Sequence, residues 1–224
     1  MYAVVACGDC GAKNKISERF SEGSYQCGKC GTLMDSPFRY VVFDCETTGL
    51  PSQRSEPFLV QLAWSAHDRM GNTIEEHVYV IRPEGFEIPV SSTSVHGIFQ
   101  TFAAAWGKSL REVLLEFSNT LAGGNVRLIA HNFEFDSRVM RAELTRLGLN
   151  ASALDVPMCC TMREAKDLCR LPSRGPDWKF PSLQELHRYV FNKGFSGGHN
   201  ALNDVRATAA CFFSLCRSGK LVPS

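Results

Sequence analysis

Two groups of residues in this 224-residue chain have types and spacings that can do chemistry. The first is Cys7-x2-Cys10 followed by Cys27-x2-Cys30, with 16 residues between the pairs. Two thiolates on one tight turn can reach the same ion. A second such turn completes a tetrahedron around Zn2+, with Zn–S bonds of about 2.3 Å. Gly8, Gly11, Gly28 and Gly31 hold equivalent places in the two turns. The competing reading is a disulfide pair or a redox Cys-x2-Cys, which a reducing compartment disfavours. The second group is acidic. Asp44 and Glu46 close an apolar run, Asp136 follows another, and His199 and Asp204 come last. Residues two apart in an extended chain point the same way, so Asp44 and Glu46 leave one face together. Two anions at the end of a buried strand repel each other unless a cation neutralises them. Singly, each has a plainer reading: a solvated strand end, an acid near a helix start (Asp136), a surface or capping histidine (His199).

These residues need a framework, and the pattern supplies an α/β one. Tyr40-Val41-Val42-Phe43 reads as a buried central strand, and residues 58–65 and 73–81 as two more. Asp68-Arg69-Met70-Gly71-Asn72 is a hairpin turn between the latter two. Ser109-x-x-Glu112 reads as a capping box opening a helix with Leu110, Val113, Leu114, Phe117 and Leu121 on one face, stopped by Gly123-Gly124. Residues 126–130 form a further strand and about 136–147 a helix. Ser182-x-x-Glu185 caps a third helix, and the last runs over about 201–216. The order predicts a mixed sheet flanked by helices, plus a small N-terminal zinc ribbon. The turn Asp35-Ser36-Pro37-Phe38-Arg39 marks the boundary, with the ribbon over 1–36 and the larger domain over 38–224.

Composition bounds the function classes. With 44% apolar and 21% charged residues, the chain is not disordered, collagenous or a coiled coil. Lys plus Arg is 24 against 23 acidic residues, a formal charge of +1, which taken alone argues against a protein coated in basic charge. No stretch approaches the roughly 18 apolar residues of a membrane span, and no export leader is visible, so a cytoplasmic, reducing location is expected. The other six cysteines (Cys45, Cys159, Cys160, Cys169, Cys211, Cys216) have no paired spacing and are expected to pack.

Taken jointly, the motifs resemble a known family. Phe43-Asp44-Cys45-Glu46-Thr47-Thr48-Gly49-Leu50 is similar to the first motif of the DEDDh 3′–5′ exonucleases, the DnaQ-like group of the polymerase III proofreading subunit. His131-Asn132-x-x-Phe135-Asp136 resembles the second and His199-x-Ala201-x-x-Asp204 the third. Ser94-Val95-His96-Gly97-Ile98 and Leu183-Gln184-Glu185-Leu186 match two secondary landmarks, and the resemblance spans roughly residues 40–217. It implies a ribonuclease-H-like fold. Asp44, Glu46, Asp136 and Asp204 would hold two Mg2+ or Mn2+ ions, with Asp44 bridging both, and His199 would be the general base. Thr47, Thr48, Leu50, His96 and Asn132 would bind the terminal nucleotide, the first two through backbone amides.

The expected activity is therefore hydrolysis of 3′ ends of single-stranded nucleic acid, DNA somewhat preferred over RNA, by a two-metal mechanism releasing nucleoside 5′-monophosphates. The alternative is a non-catalytic zinc-ribbon module, binding nucleic acid or associating with a polymerase; a polymerase or other protein partner could also dock on the ribbon of an active enzyme. Phe133, Phe135 and Trp64 could stack on bases but are more simply core. Residues 163–193 hold seven basic against four acidic side chains and read as a loop beside the site, with a phosphate-contacting role narrowly preferred over a solvated surface. The formal +1 also counts four carboxylates that two divalent ions would cancel, so it does not exclude a nucleic-acid enzyme.

Overall fold

In the computed structural model, which describes residues 2–17, 25–34, 39–52, 55–122 and 125–222, the N-terminal segment folds as two short hairpins. β1 (Tyr2–Ala6) pairs antiparallel with β2 (Lys13–Ser17), and β3 (Tyr25–Gln26) with β4 (Leu33–Met34). The hairpin turns repeat each other. Cys7 N donates to Ala12 O and Cys27 N to Thr32 O, while Gly11 N and Gly31 N close back on Cys7 O and Cys27 O. Gly11 and Gly31 lie at φ +68° and +76°, the left-handed region that the knuckle turn requires. The expected boundary turn at 35–38 lies outside the described residues, as do Gly123 and Gly124.

The remaining chain runs β5 (Arg39–Thr47), β6 (Leu59–His67), β7 (Thr73–Val80), α1 (Val90–His96), α2 (Gln100–Trp106), α3 (Leu110–Leu121), β8 (Val126–Ala130), α4 (Phe133–Arg146), a 3-10 turn (Ala151–Leu154), β9 (Met158–Cys160), α5 (Thr161–Glu164), α6 (Lys166–Cys169), α7 (Leu183–Phe191) and α8 (Ala201–Arg217). The sheet order is β7-β6-β5-β8-β9, with β6 antiparallel to both neighbours and β8 and β9 parallel to β5 and β8 respectively. This is the expected mixed sheet flanked by helices. Every residue of β6 is buried because helices cover both faces of the sheet.

The period of two along β5 divides the core. Val41, Phe43 and Cys45 face α3 and α4, among Val113, Phe117, Val139 and Met140. Tyr40 and Val42 face α8, among Val205, Phe212 and Phe213. Asp44 and Glu46 continue the second series, so they emerge on the side of α8. The ribbon packs onto that same layer through Ala3 and Ile16, and the Arg69 guanidinium lies 4.6 Å from the Tyr25 ring centre.

Several local expectations need correction. The first strand extends to Thr47, because pairing with β6 continues through Glu46 opposite Gln61. Ser109 stands at the N-cap of α3, but its side chain makes no capping bond. The pattern Ser-x-x-Glu forms a true capping box at Ser182, where Ser182 Oγ accepts from Glu185 N and the Glu185 carboxylate accepts from Ser182 N. α4 begins at Phe133 rather than Asp136, which places Asp136 inside its first turn. α1 and α2 were not anticipated; each has seven residues, too few to establish a helical period in sequence. The turn at 68–72 forms as expected, with Asp68 Oδ1 accepting from Met70 N and Asn72 N.

Candidate active site and metal centre

The site grows from the C-terminal half of β5. Asp44 and Glu46 project toward α8, and Asp204 sits in that helix's first turn. One carboxylate oxygen from each of Asp44, Glu46 and Asp204 lies within 4.8 Å of the others. Asp136 approaches from α4 and is 2% exposed; its Oδ1 accepts from Cys45 N at 3.1 Å. Among the described residues no Lys or Arg pairs with any of the four.

The electrostatics follow from that crowding. Burial, then Asp136, Asp204 and Glu46, push the Asp44 carboxyl well above the usual carboxylate range. Burial, with Asp204 and Asp136, raises Glu46 to about 8. Burial raises Asp136 to about 7 against the Cys45 amide that lowers it. Burial also raises Asp204, opposed by the backbone N–H of His199. Four acids gathered without a cationic side chain resist ionisation until a cation arrives. The donors are all oxygen, which suits Mg2+ or Mn2+ better than Zn2+.

His199 lies at φ +62°, exposed, on the glycine-flanked approach to α8. Its N–H donates to Asp204 Oδ2 at 2.9 Å. The approach is tethered from α7. Gln184 bonds the Phe195 backbone through both its amide atoms, and His187 Nδ1 lies 2.7 Å from Lys193 O. α8 is itself anchored by Gln61, whose Oε1 accepts from Ala201 N at 3.0 Å. Sequence reasoning missed Gln61. Its signal was a lone amide inside the otherwise apolar opening of β6.

A cleft of about 430 Å³ opens over the carboxylates. It is lined by Thr47, Leu50, His96, Asn132, Phe135 and His199, together with Asp44, Glu46, Asp136 and Asp204. Cys45, Gly49, Ser92, Val95, His131 and Leu183 complete the wall, none of them among the expected site residues. Leu50 is 82% exposed, an apolar side chain held at the cleft mouth. Asn132 is the N-cap of α4, yet its side chain makes no capping bond. His96 Nδ1 accepts from Ile98 N at 3.1 Å, and burial lowers its pKa. His131 is wedged between Thr161 Oγ1 and Pro181 O, both at 3.0 Å, and burial lowers its pKa to about 4, so it stays neutral.

Two substrate-facing expectations change. The Thr48 amide is not free for a nucleotide: it donates to Phe58 O at 2.9 Å, and Thr48 Oγ1 accepts from Phe58 N at 2.9 Å. Trp64 is fully buried against Phe117 and Phe133 is buried against Phe43, so both are core as expected; Phe135 departs from that reading, since it alone of the three lines the cleft. Within 163–193, Lys166 pairs with Asp177 and Lys179 with Glu185, acids already counted in that segment, so only the pairing of Arg163 with Glu134 from outside it lowers the local excess of positive charge, from three to two.

In the ribbon, the four Sγ atoms lie within 4.8 Å of one another, with Cys7–Cys30 and Cys10–Cys27 each at 3.6 Å. Tetrahedral thiolates at a Zn–S distance of about 2.3 Å stand about 3.8 Å apart, so the cluster fits that ion. Backbone amides of Cys30 and Lys29, with the Asn14 amide, pull Cys27 down to about 6, which favours the ligating thiolate.

Comparison with known proteins fits this geometry. The family model described as Exonuclease (RNase_T) matches residues 41–212. The PolC-type DNA polymerase III of Lactococcus lactis is 32% identical over 174 residues, covering 78% of this chain and 10% of that protein. That of Streptococcus agalactiae is 31% identical over 181 residues, 81% of this chain and 11% of the relative. The chain thus spans about a tenth of the length of these relatives. Among solved structures, E. coli exonuclease I in complex with a dT13 oligonucleotide superposes with a TM-score of 0.67 at 20% identity, covering 80% of this chain and 41% of that one. A moderately thermophilic exonuclease I from Methylocaldum szegediense gives 0.67 at 21%, covering 80% and 40%. At that identity the likeness concerns the fold.

Proposed function

The chain belongs to the exonuclease family, and on that premise we propose that it is a divalent-metal-dependent 3′–5′ exonuclease acting on single-stranded ends and releasing nucleoside 5′-monophosphates. The observation that carries the proposal is the convergence of Asp44, Glu46 and Asp204 within 4.8 Å at the floor of one cleft, with Asp136 buried beside them. These four carboxylates would hold two Mg2+ or Mn2+ ions. Once bound, such ions neutralise charge on the phosphoryl oxygens and favour deprotonation of the attacking water.

The chain's own residues supply the rest. His199 takes the proton from the water at a ring nitrogen, and its exposed position lets it release that proton to solvent. Its backbone bond to Asp204 keeps the base and the carboxylate in register. Leu50, Val95 and Phe135 wall the terminal nucleotide by apolar contact, which discriminates little between bases. Neutral His131 braces the turn that presents Asn132. DNA is favoured over RNA, a preference supported by the DNA polymerases among the relatives and the oligonucleotide bound by exonuclease I.

The ribbon over residues 1–36 is assigned one structural Zn2+ and the domain over 38–224 the catalysis, with the ribbon's outer face free for a protein or nucleic-acid partner. The test is incubation of the pure protein with 3′- and 5′-labelled DNA and RNA, in Mg2+, Mn2+ or EDTA. Stepwise shortening from the 3′ end with metal, abolished by EDTA and by Asp44→Ala, is expected. No shortening with either metal overturns the reading.

A further inference from the structure

Beside the cleft lies an apolar surface that the hydrolysis does not use. Phe99 at the N-cap of α2, Phe102 and Trp106 follow at intervals of three and four residues, the spacing that returns to one face of a helix. They are 62%, 51% and 76% exposed. Three large aromatics turned to water on eight residues are a patch of the kind that marks a contact surface.

The patch is held rigidly. Ala103, which follows Phe102 in α2, is fully buried among Val60, Ile88 and Ile98 and seats the helix. Behind Trp106, Lys108 N donates to Val80 O and Arg82 N to Lys108 O, both at 2.8 Å. Gly107 has no room for a side chain: a Cβ there would stand 2.3 Å from Ala103 O and 2.6 Å from Arg82 N. α2 is therefore fastened to the margin of the sheet, and its aromatic face is presented rather than left loose.

Its position points to the occupant. A second cavity, about 470 Å³, is lined by Phe99, Phe102, Ile98, Gln61, His96 and Asn200. His96 also lines the catalytic cleft, and Asn200 adjoins His199, so the aromatic face continues directly from the site. Between residues 89 and 107 the only titratable side chain is His96; exposed Glu84 and Glu87 lie just before this stretch, and exposed Arg82 and Lys108 stand at the Trp106 end. From Phe99 to Trp106 the helix rises about 10 Å, about three stacked-base steps of roughly 3.4 Å.

We propose that Phe99, Phe102 and Trp106 form a stacking ledge for the unpaired bases upstream of the scissile nucleotide, giving the enzyme its hold on single strands. This rests on the exonuclease reading for its direction, since the strand must enter the cleft 3′ end first. Duplex bases are already stacked and paired, so the ledge offers them nothing.

Two measurements test it. The first is the ratio of kcat/KM for a single-stranded dodecamer to that for a dinucleotide, in the native protein and in Phe99→Ser/Phe102→Ser/Trp106→Ser. The native ratio is expected to be large and to fall roughly fivefold or more per lost stack. The second is Trp106 fluorescence in a Trp178→Phe background, titrated with single-stranded or duplex dodecamer in EDTA, where no hydrolysis is expected. Quenching by the single strand alone, absent in Trp106→Phe, is expected. An unchanged length ratio with active enzyme, or bound single strand without quenching, overturns the ledge and leaves the exonuclease reading intact. Quenching without hydrolysis under any metal overturns the exonuclease reading and leaves the ledge. A concentration-dependent dimer in sedimentation, abolished by the triple variant, would assign the face to a second copy of the chain and overturn the proposal.

Discussion

Gln61 on β6 accepts a hydrogen bond from the backbone of Ala201, the first residue of α8, at 3.0 Å. Gln61 stands opposite Glu46 in the strand register, and α8 carries Asp204 three residues further on. One buried amide thus fixes the distance between two carboxylates that are 158 positions apart in the chain. Gln61→Leu leaves the fully buried Ala201 N–H without an acceptor, at a cost of about 1–3 kcal/mol. The expected signature is a Tm lowered by roughly 2–10 °C together with weaker Mn2+ affinity by calorimetry. A variant with native Mn2+ affinity would separate Gln61 from the metal site.

Asp44→Asn is expected to cut nuclease activity by at least roughly a hundredfold. The same change removes a half-buried carboxyl crowded by three others, so the metal-free protein should gain stability at pH values where the four ionise, seen as a higher Tm in EDTA. A lower Tm would mean that burial and repulsion are not what raise its pKa.

The metal-free protein should lose stability as pH rises. Glu46 ionises near 4.5 when unfolded and about 8 when folded, and Asp136 near 3.8 and about 7. Between those values the folded state holds protons that the unfolded state has released. Stability therefore falls from about pH 4 to 8 and is flat below the window. Mg2+ or Mn2+ removes the penalty, so the Tm gain on adding metal should be larger at pH 8 than at pH 6. Thermal melts with and without EDTA across this range check the sign.

His199→Ala should lower kcat by roughly 10²–10⁴-fold while sparing metal binding, since the hydrogen bond to Asp204 comes from the backbone N–H, which the variant keeps. Calorimetry with Mn2+ reads the second half. A loss of metal affinity in this variant would contradict the assignment of the ring to proton transfer.

Elemental analysis should find about one zinc per chain, lost in Cys27→Ser. Because Ala3 and Ile16 pack against the α8 layer, loss of the ion should also lower the Tm of the whole chain rather than melt the ribbon alone. Two separate transitions would show that the ribbon contributes nothing to the larger domain.

The chemistry-bearing residue types and their local setting are legible in the sequence. The two Cys-x2-Cys turns, the pair Asp44 and Glu46 at a strand end, and Asp204 at a helix start all follow from spacing, because strand and helix periods act over a few residues. A local motif cannot say which N-cap partner wins, so the same Ser-x-x-Glu pattern forms a capping box at Ser182 and none at Ser109. Nor can it reveal that the Thr48 amide is spent on Phe58, a pairing set by the register of β5 on β6. Tertiary structure alone decided that Asp44, Glu46 and Asp204 meet within 4.8 Å while Asp136 turns to the Cys45 amide, that Gln61 anchors α8, and that α2 shows its aromatics to water. These are long-range contacts between elements far apart in the chain. Their geometry is set by how the layers pack, and no short stretch of sequence contains both partners.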